Sequence, residues 1–396
     1  MVGAGPAGSA TAALLARGGV AVTVVDRSAF PRDKPCSEYM SPEAVRVLDR
    51  LGVLADLEAA GGVAVEGTSV TGARGSRLDG VFAHATPPPF RPAGLAIARR
   101  ILDARLVEAA RDAGARVLER TAVEELLYER GAVAGAIVRN AAGTRRAIRA
   151  RLTVGADGLR SLVARRLGPR RHARPARLAF VAHVAGFSGL GRRARMFVGP
   201  GGYAGLNPIG GDVANVAVVV PVARAAAARG RATEYFLEAL DEFPGLRGQV
   251  TRERIVRPVL VTGPFAAWSG TVTADGAALV GDAADFFDPF TGEGICAALR
   301  GAELLAAEVP GALADPGIVS ARRLAGYRRA RRAAFAGKWA VERLIGYGMW
   351  FPLLFDRAVG RLGRRPGMAD TLIGVTGDFV PARAVLNPFF LARMVL

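Results

Sequence analysis

The sequence predicts an α/β fold in three parts: a nucleotide-binding domain with a parallel sheet and a small antiparallel meander, an inserted, mainly antiparallel α+β domain, and a helical C-terminus. Three observations support this prediction. A glycine-rich turn at residues 3–8 leads into an Ala-rich helical pattern and a β-branched strand. Long β-type runs occupy residues 175–265. Helical patterns dominate from about residue 295 onward.

The first element is a strand–turn–helix–strand unit. Its glycines stand in G-x-G-x-x-G spacing at Gly3, Gly5 and Gly8, and the β-branched strand that follows the helix ends at Asp26. The glycines permit a tight turn and close approach to a pyrophosphate, the helix N-terminus offers free N–H groups, and the acid can accept from ribose hydroxyls. Because all parts stand where a Rossmann-type βαβ unit needs them, the motif predicts a dinucleotide site.

Only Met1 and Val2 stand where the first strand of this unit belongs. A parallel inner strand normally runs about five residues. We therefore expect several strand residues to be missing here. Binding of a dinucleotide should then be weaker than in a chain extended by a few apolar residues.

The elements that follow come in a clear order. Ser41 precedes a proline and an acid and predicts the start of a helix, which Gly52 ends. Residues 99–112 have the spacing of an amphipathic helix. Strand patterns from 116 to 149 indicate an antiparallel meander, and residues 151–167 read again as strand, tight turn and helix.

We predict a discontinuous nucleotide-binding domain. It spans 1–174 and 266–330, a substrate domain spans 175–265 with a contribution from 64–98, and a helical region spans 331–396. The 396 residues, 51% of them hydrophobic, suffice for such interleaved domains.

The formal net charge of +18 does not predict a nucleic-acid site, since the arginines are spread along the whole chain. The denser cluster Arg322 to Arg332 lies in a predicted helix. We interpret it as a solvated face, with contact to an anionic membrane or a cofactor phosphate as the alternative. The apolar stretch 344–355 contains Pro352 and is shorter than the ~20 residues that span a bilayer.

The two cysteines, Cys36 and Cys296, form no disulfide framework and no C-x-x-C motif, and the three histidines are scattered. We predict no metal site. We also expect no signal peptide and a cytoplasmic location, with membrane association as an alternative.

Three glycine-containing signatures now stand in one order: G-A-G-P-A-G, then G-A-D-G-L-R-S, then G-D-A-A-D-F-F-D-P-F-T-G-E-G. With these motifs the chain resembles the flavoprotein superfamily of aromatic hydroxylases (flavoprotein monooxygenases), geranylgeranyl reductases and flavin-dependent halogenases. F-P-R-D-K-P-C and Y-A-G-L-N-P-I-G-G are similar to motifs of the reductase branch. The resemblance implies a Rossmann-type FAD-binding domain, FAD as cofactor and NAD(P)H as reductant.

The resemblance also implies site residues. Asp26 would bind the adenosine ribose, Val123 would lie beside the adenine, and Asp282 would bind the ribityl or phosphate region. The cofactor-binding residues implied in this way are Gly3, Ala4, Gly5, Pro6, Ala7, Gly8, Asp26, Arg27, Lys34, Cys36, Arg99, Val123, Asp157, Gly158, Gly281, Asp282, Pro289, Gly292, Gly294 and Ile295. The last loop and helix N-terminus would face the pyrimidine end of the flavin, where a reduced flavin carries negative charge.

Cys36, Tyr203 and Asn207 are the candidate catalytic residues, and each has a plain alternative as a packing residue. The chain departs from the reductases where Ser37-Glu38 replaces Gly-Gly and Gly205 replaces Trp. It also lacks a second G-x-G-x-x-G unit and a Trp-x-Trp-x-Ile-Pro motif. These absences argue against a separate NAD(P)-binding domain and against a halogenase.

The predicted function is an FAD-dependent, NAD(P)H-using oxidoreductase that acts on a small lipophilic substrate. The departures favour a monooxygenase that hydroxylates an aromatic or polyketide-like lipid. One alternative is a geranylgeranyl-reductase-type enzyme that saturates isoprenoid double bonds. A further alternative is a peripheral membrane flavoprotein docked by the helix at 322–332.

Overall fold

The computed structural model of the chain describes residues 1–174, 176–187 and 189–395. The helices in these residues are α1 (Pro6–Arg17), α2 (Pro42–Arg50), α3 (Leu54–Ala59), α4 (Arg99–Asp112), α5 (Leu162–Leu167), α6 (Val222–Ala225), α7 (Ala232–Asp241), α8 (Gly294–Ala312), α9 (Ala325–Gly348), α10 (Pro352–Gly363), α11 (Pro366–Thr376) and α12 (Pro388–Val395). Several begin at proline, which has the backbone angle of a first helical residue and lacks an N–H that would be unpaired there.

The strands range from two to nine residues in length. They are β1 (Thr23–Val25), β2 (Tyr39–Met40), β3 (Val63–Val65), β4 (Gly67–Thr71), β5 (Arg77–Val81), β6 (Gly94–Ala96), β7 (Arg116–Leu118), β8 (Ala122–Glu129), β9 (Ala132–Arg139), β10 (Arg145–Arg149), β11 (Thr153–Gly155), β12 (Arg170–His172), β13 (Arg177–Val184), β14 (Arg193–Gly199), β15 (Gly202–Gly210), β16 (Val213–Pro221), β17 (Ile255–Thr262), β18 (Ala267–Ser269), β19 (Thr273–Ala274), β20 (Ala277–Leu279) and β21 (Asp285–Phe286).

A parallel sheet carries the glycine-rich turn. Strands β1 and β7 pair in parallel on one side, and β11 and β20 pair in parallel on the other. Val2 bridges the two pairs, because it lies in parallel register with both Val25 and Gly155. Helices α1, α4 and α8 pack together, and strands β8, β9 and β10 form an antiparallel meander beside the sheet. The centre of the sheet is therefore the strand residue directly before the turn.

A seven-stranded sheet forms the second layer, in the order β17-β13-β16-β15-β14-β4-β5. Its pairs are antiparallel apart from β14 with β4. Alternate residues of each strand face opposite sides. One side packs against α7 through Phe180 and Phe236. The other side includes Val181 and Tyr203 and faces the nucleotide-binding domain.

The C-terminal helices close the end of the large sheet. Helix α11 packs directly against β5, where a Cβ on Gly80 would lie 2.3 Å from Ile373. The α/β fold with a helical C-terminus is thus confirmed. In the described residues, no helix is both long enough and apolar enough to cross a membrane.

Candidate functional site

The glycine-rich turn has two tightly packed glycines and one open one. A Cβ on Gly3 would lie 2.5 Å from the carbonyl oxygen of Ala156, and one on Gly8 would lie 1.9 Å from the carbonyl oxygen of Gly3. Gly5 is the N-cap of α1. A Cβ there would approach the protein no closer than 3.8 Å. The backbone at Gly5 is therefore exposed to a ligand, while the other two glycines serve the packing of turn, helix and strand.

Asp26 braces this turn. One carboxylate oxygen accepts from the N–H of Ala4 at 2.8 Å and the other from the N–H of Ser28 at 2.8 Å. The side chain is buried. Asp26 thus orders the backbone that precedes Gly5, in addition to any contact with a ribose.

A large cavity runs from the glycine-rich turn to the seven-stranded sheet. The predicted cofactor residues on its wall are Gly5, Pro6, Ala7, Lys34, Cys36, Arg99, Gly158, Asp282, Pro289, Gly292, Gly294 and Ile295. The wall also includes the candidate catalytic residues Tyr203 and Asn207. The predicted residues that lie off this wall are Gly3, Ala4, Gly8, Asp26, Arg27, Val123, Asp157 and Gly281.

Charged side chains lie on the nucleotide-domain side of the cavity. Arg99 is buried and donates to both carboxylate oxygens of Asp103 at 2.7 and 2.8 Å. Burial lowers the pKa of Arg99, but Asp103 and the Cys36 thiol outweigh this effect and leave that pKa above its ordinary value. Burial, and then the charge of Arg99, lowers the pKa of Lys34. Burial raises the pKa of Asp282, which the charge of Lys34 opposes.

The second signature contributes through its glycine. The carboxylate of Asp157 accepts from the hydroxyl of Ser161 at 2.5 Å and from the N–H of Leu162 at 2.6 Å. It therefore caps the start of α5, and burial raises its pKa. Gly158 lies on the cavity wall, where a Cβ would lie 3.5 Å from the amino group of Lys34. Asp157 thus stabilises the start of the helix, and Gly158 lines the cavity.

The third signature forms a loop that ends in the N-terminus of α8. Asp288 accepts from the N–H of Phe290 and caps the short helical turn before Gly292. Gly292 has a left-handed backbone, and Gly294 begins the 19-residue helix α8. The free N–H groups at the start of α8 and the positive end of its dipole therefore face the cavity.

Tyr203 is linked to the same loop. Its hydroxyl donates to Asp288 at 2.6 Å, and Asp288 also pairs with Arg177 at 2.5 Å. Burial raises the pKa of Tyr203 well above its ordinary value, and the negative charge of Asp288 adds to this effect. The ring of Tyr203 packs edge-on against Phe290 at 5.1 Å. The tyrosine therefore positions the loop with its hydroxyl and lines the cavity with its ring.

The loop at residues 36–38 is held against the large sheet. Asn207 donates to the carbonyl oxygen of Ser37 at 3.0 Å, and Asn215 donates to that of Cys36 at 2.8 Å. These bonds fix the position of the partly exposed Cys36 between the sheet and the nucleotide domain.

Glu38 adds a buried ionic contact to this loop. Its carboxylate accepts from the backbone N–H of Arg99 at 2.9 Å and lies 2.6 Å from Nε2 of His183. Arg257 lies next to His183 in the sheet, is 7% exposed, and donates hydrogen bonds to no described residue. Burial lowers the pKa of Arg257, and Glu38 opposes this effect.

Sequence reasoning missed His183, Asn215 and Arg257. Each is an isolated polar residue in an apolar strand, which is a recognisable but weak signal. Their shared face becomes visible only when the register of β13, β16 and β17 is known.

The side of the cavity that the large sheet forms is mainly apolar. Its wall there is formed mainly by apolar residues of the large sheet, namely Ala179, Val181, Ala194, Met196, Ala217 and Val219, with Gly205 among them. The polar residues of the same sheet that line it are Thr68, Tyr203, Asn207, Asn215 and Thr262. A Cβ on Gly205 would lie 3.2 Å from the sulfur of Met196, so this position is already in close contact with its neighbour. The wall can bind a hydrocarbon chain, because it offers apolar surface and few hydrogen-bonding groups.

Comparison with known proteins identifies the family. The model of the FAD-binding domain family matches residues 1–339. Digeranylgeranylglycerophospholipid reductase 1 of Methanococcoides burtonii is 29% identical over 356 residues, which cover 87% of this chain and 82% of that protein. Menaquinone reductase of Mycobacterium tuberculosis is 32% identical over 311 residues, covering 74% and 72%.

A solved structure has the same arrangement. A probable FAD-dependent monooxygenase from Pseudomonas aeruginosa superposes with a TM-score of 0.71 at 25% identity, covering 89% of this chain and 96% of that one. The architecture described above is therefore shared with this probable monooxygenase.

Proposed function

The chain belongs to the FAD-binding domain family and is an FAD-dependent oxidoreductase, and we propose that it reduces carbon–carbon double bonds of an isoprenoid lipid with NAD(P)H as the reductant. The observation that carries this proposal is the continuity of the cavity. One wall holds the nucleotide-binding turn, and the opposite wall is a sheet whose side chains there are mainly apolar. The two relatives named above are reductases whose names refer to lipids.

The residues present fit an FAD. Gly5 leaves open space at the N-terminus of α1 for the pyrophosphate, and the tight packing of Gly8 brings that helix against the sheet. Lys34, Arg99 and Asp282 supply polar contacts along the cavity. The N-terminus of α8 lies where negative charge on the ring would be stabilised. When bound, FAD supplies hydride that it receives from NAD(P)H.

The chain's own residues supply the proton and exclude water. Saturation of a double bond adds a hydride to one carbon and a proton to the other. Cys36 is the partly exposed thiol on the cavity wall, and the buried Arg99 lines the same cavity. The thiol donates its proton to the substrate carbon, Arg99 stabilises the resulting thiolate, and solvent reprotonates the thiolate after the product has left. The apolar sheet wall keeps the reacting carbons dry.

Product mass tests the reaction. Anaerobic incubation of the FAD-loaded protein with NADPH and a polyprenyl lipid should give a product two mass units heavier for each bond reduced. Cys36→Ala should lower this rate at least tenfold. The rate of FAD reduction by NADPH, measured as the bleaching of the flavin absorbance, should stay within twofold of the wild-type rate. Equal rates of lipid reduction in the two proteins would reject the role of Cys36.

Hydroxylation is the second candidate. Ser37-Glu38 and Gly205 stand where the reductase branch has Gly-Gly and Trp, and the oxygenase fold matches over most of the chain. A product that gains an ¹⁸O atom from labelled O₂, with no turnover under anaerobic conditions, would establish this reaction and exclude the reductase proposal.

A further inference from the structure

The turn between α9 and α10 exposes a run of large apolar side chains. Tyr347, Trp350, Phe351 and Leu353 are 51%, 55%, 62% and 61% exposed. We call residues 347–354 the apolar turn. Met349, within this turn, is buried in the core that packs under the large sheet, so the turn is anchored while its large apolar side chains on either side of Met349 face outward. Exposed apolar groups of this size gathered in one place indicate a binding surface rather than ordinary surface composition.

Basic residues flank the apolar turn in the sequence. Residues 343–365 contain five arginines and one acid, Asp356, whose carboxylate accepts from the N–H of Arg74. Arg357 and Arg361 follow Leu353 at spacings of four and eight residues, which places them along one stripe of α10, and Arg364 is the C-cap of this helix. The exposed apolar side chains and this positive stripe therefore begin at the same end of the helix. This combination is complementary to an anionic lipid surface.

The apolar turn lies next to the cavity. Phe355, the residue directly after it, packs edge-on against Phe290 with ring centroids 6.3 Å apart. Phe290 lies on the cavity wall and contacts Tyr203. One aromatic contact thus separates the exposed turn from the site of the reaction.

The basic cluster at 322–332 is less suited to this role. Arg331 is buried and pairs with Asp285, and the apolar side chains of Leu324 and Tyr327 point into the core. The cluster therefore presents charge without an apolar group to insert.

We propose that the apolar turn inserts into the headgroup and acyl boundary of an anionic bilayer, so that a lipid substrate reaches the cavity from the membrane. Tyr and Trp have the amphipathic rings that favour this boundary. Insertion is shallow, because the turn is short and its flanking arginines remain with the headgroups. This inference rests on the proposed function, since a lipophilic substrate is what makes the position useful.

Vesicle flotation and tryptophan quenching test the proposal. The FAD-loaded full chain should float with vesicles of phosphatidylglycerol and phosphatidylcholine and much less with phosphatidylcholine alone. In a Trp268→Phe/Trp339→Phe variant, Trp350 is the remaining tryptophan. Brominated acyl chains should quench at least a third of its fluorescence. Absence of flotation, or of quenching, overturns the proposal.

Variants distinguish insertion of the apolar turn from nonspecific adsorption of the protein to vesicles. Phe351→Ser/Leu353→Ser should reduce vesicle partitioning at least tenfold and leave FAD content and thermal melting unchanged. Phe90→Ser removes a comparably exposed ring, 52% exposed, outside the turn and should float like the wild type. Equal flotation of the double variant and the wild type contradicts the proposal. So does a dimer in vesicle-free solution that the double variant abolishes, since a second copy would then cover the turn.

A comparison of substrates distinguishes this proposal from the proposed function. The double variant should reduce a detergent-solubilised prenyl lipid at the wild-type rate and a vesicle-embedded one at least fivefold more slowly. Vesicle binding without reduction of any prenyl lipid would support docking and reject the reductase assignment. Equal rates of both proteins on the embedded lipid would reject delivery from the membrane and leave the reductase assignment in place.

Discussion

The carboxylate of Glu38 lies 2.6 Å from Nε2 of His183, deep between the nucleotide-binding domain and the large sheet. Glu38 has a left-handed backbone, with φ of 60°, at the end of the loop that carries Cys36. Its other carboxylate oxygen accepts from the first residue of α4. One side chain therefore joins the loop, a helix of the nucleotide-binding domain and a strand of the sheet.

Replacing Glu38 by Gly should destabilise the protein by about 1–3 kcal/mol, because the buried His183 imidazole loses its hydrogen-bond partner. Glycine accepts the left-handed backbone, so the change removes the carboxylate without adding strain. Urea unfolding measures the loss. The control Glu66→Ala breaks an exposed pair with Arg192 and should cost less than about 1 kcal/mol. An equal loss in the free energy of unfolding for the two variants would show that the buried contact stabilises the protein no more than the exposed ion pair does.

Gly5→Ala should weaken FAD binding, whereas Gly8→Ala should destabilise the protein itself. The Cβ at position 5 has free space in the protein, so Gly5→Ala should fold normally and bind FAD at least tenfold more weakly, since the methyl group occupies the approach to the pyrophosphate. The Cβ at position 8 meets a backbone carbonyl at 1.9 Å, so Gly8→Ala should lower the melting temperature even without FAD. Circular dichroism and FAD titration distinguish the two. Normal FAD affinity in Gly5→Ala would contradict the placement of the pyrophosphate.

Asp282→Ala should purify without FAD, because this side chain lies on the cavity wall where the resemblance places the ribityl or phosphate region. The flavin absorbance of the purified protein gives the occupancy. Asp315→Ala, which changes a highly exposed acid, should retain full occupancy. A yellow, fully loaded Asp282→Ala protein would reject the assignment.

Glu342→Gln should reduce the loss of stability that accompanies a rise in pH between the unfolded pKa of 4.5 and the folded pKa of about 8. Burial raises the pKa of Glu342 from 4.5 to about 8, with Lys338 opposing and nearby carboxylates adding to the rise. Between these values the folded protein holds a proton that the unfolded chain releases, so the free energy of unfolding falls as pH rises from 5 to 8. Each pH unit in this range costs about 1.4 kcal/mol for one fully retained proton.

Urea unfolding at pH 5 and pH 8 checks this sign. The Gln variant should be more stable than the wild type at pH 8, by more than about 1 kcal/mol relative to their difference at pH 5. Glu108→Gln, on the exposed face of α4, should leave the pH dependence unchanged. A Gln variant with the wild-type slope would show that Glu342 is ionised throughout this range.

Local patterns predicted much of the architecture. The spacing of Gly3, Gly5 and Gly8 is itself a geometric requirement of the turn, so a dinucleotide site could be recognised from adjacent residues. The FAD-binding class followed from the resemblance that three separate signatures carry, and it is confirmed together with the α/β fold. The roles of the individual site residues remain predictions that the variants above test.

Contacts between distant residues could not be predicted in this way. Glu38 and His183 are 145 positions apart, and Tyr203 and Asp288 are 85 apart. Nothing in the local sequence of either partner specifies the other, because strand register decides which side chains share a face.

The sequence by itself determined the fold class and the dinucleotide turn, because these depend on residue types at short, fixed spacings. The family was recognised by the resemblance of three signatures spread along the chain. Only the tertiary structure decided which polar residues meet beneath the loop at 36–38. It also decided that residues 347–354 face outward although their composition resembles a core. Burial is a property of the whole packed chain, and an apolar turn is exposed when no other element reaches it.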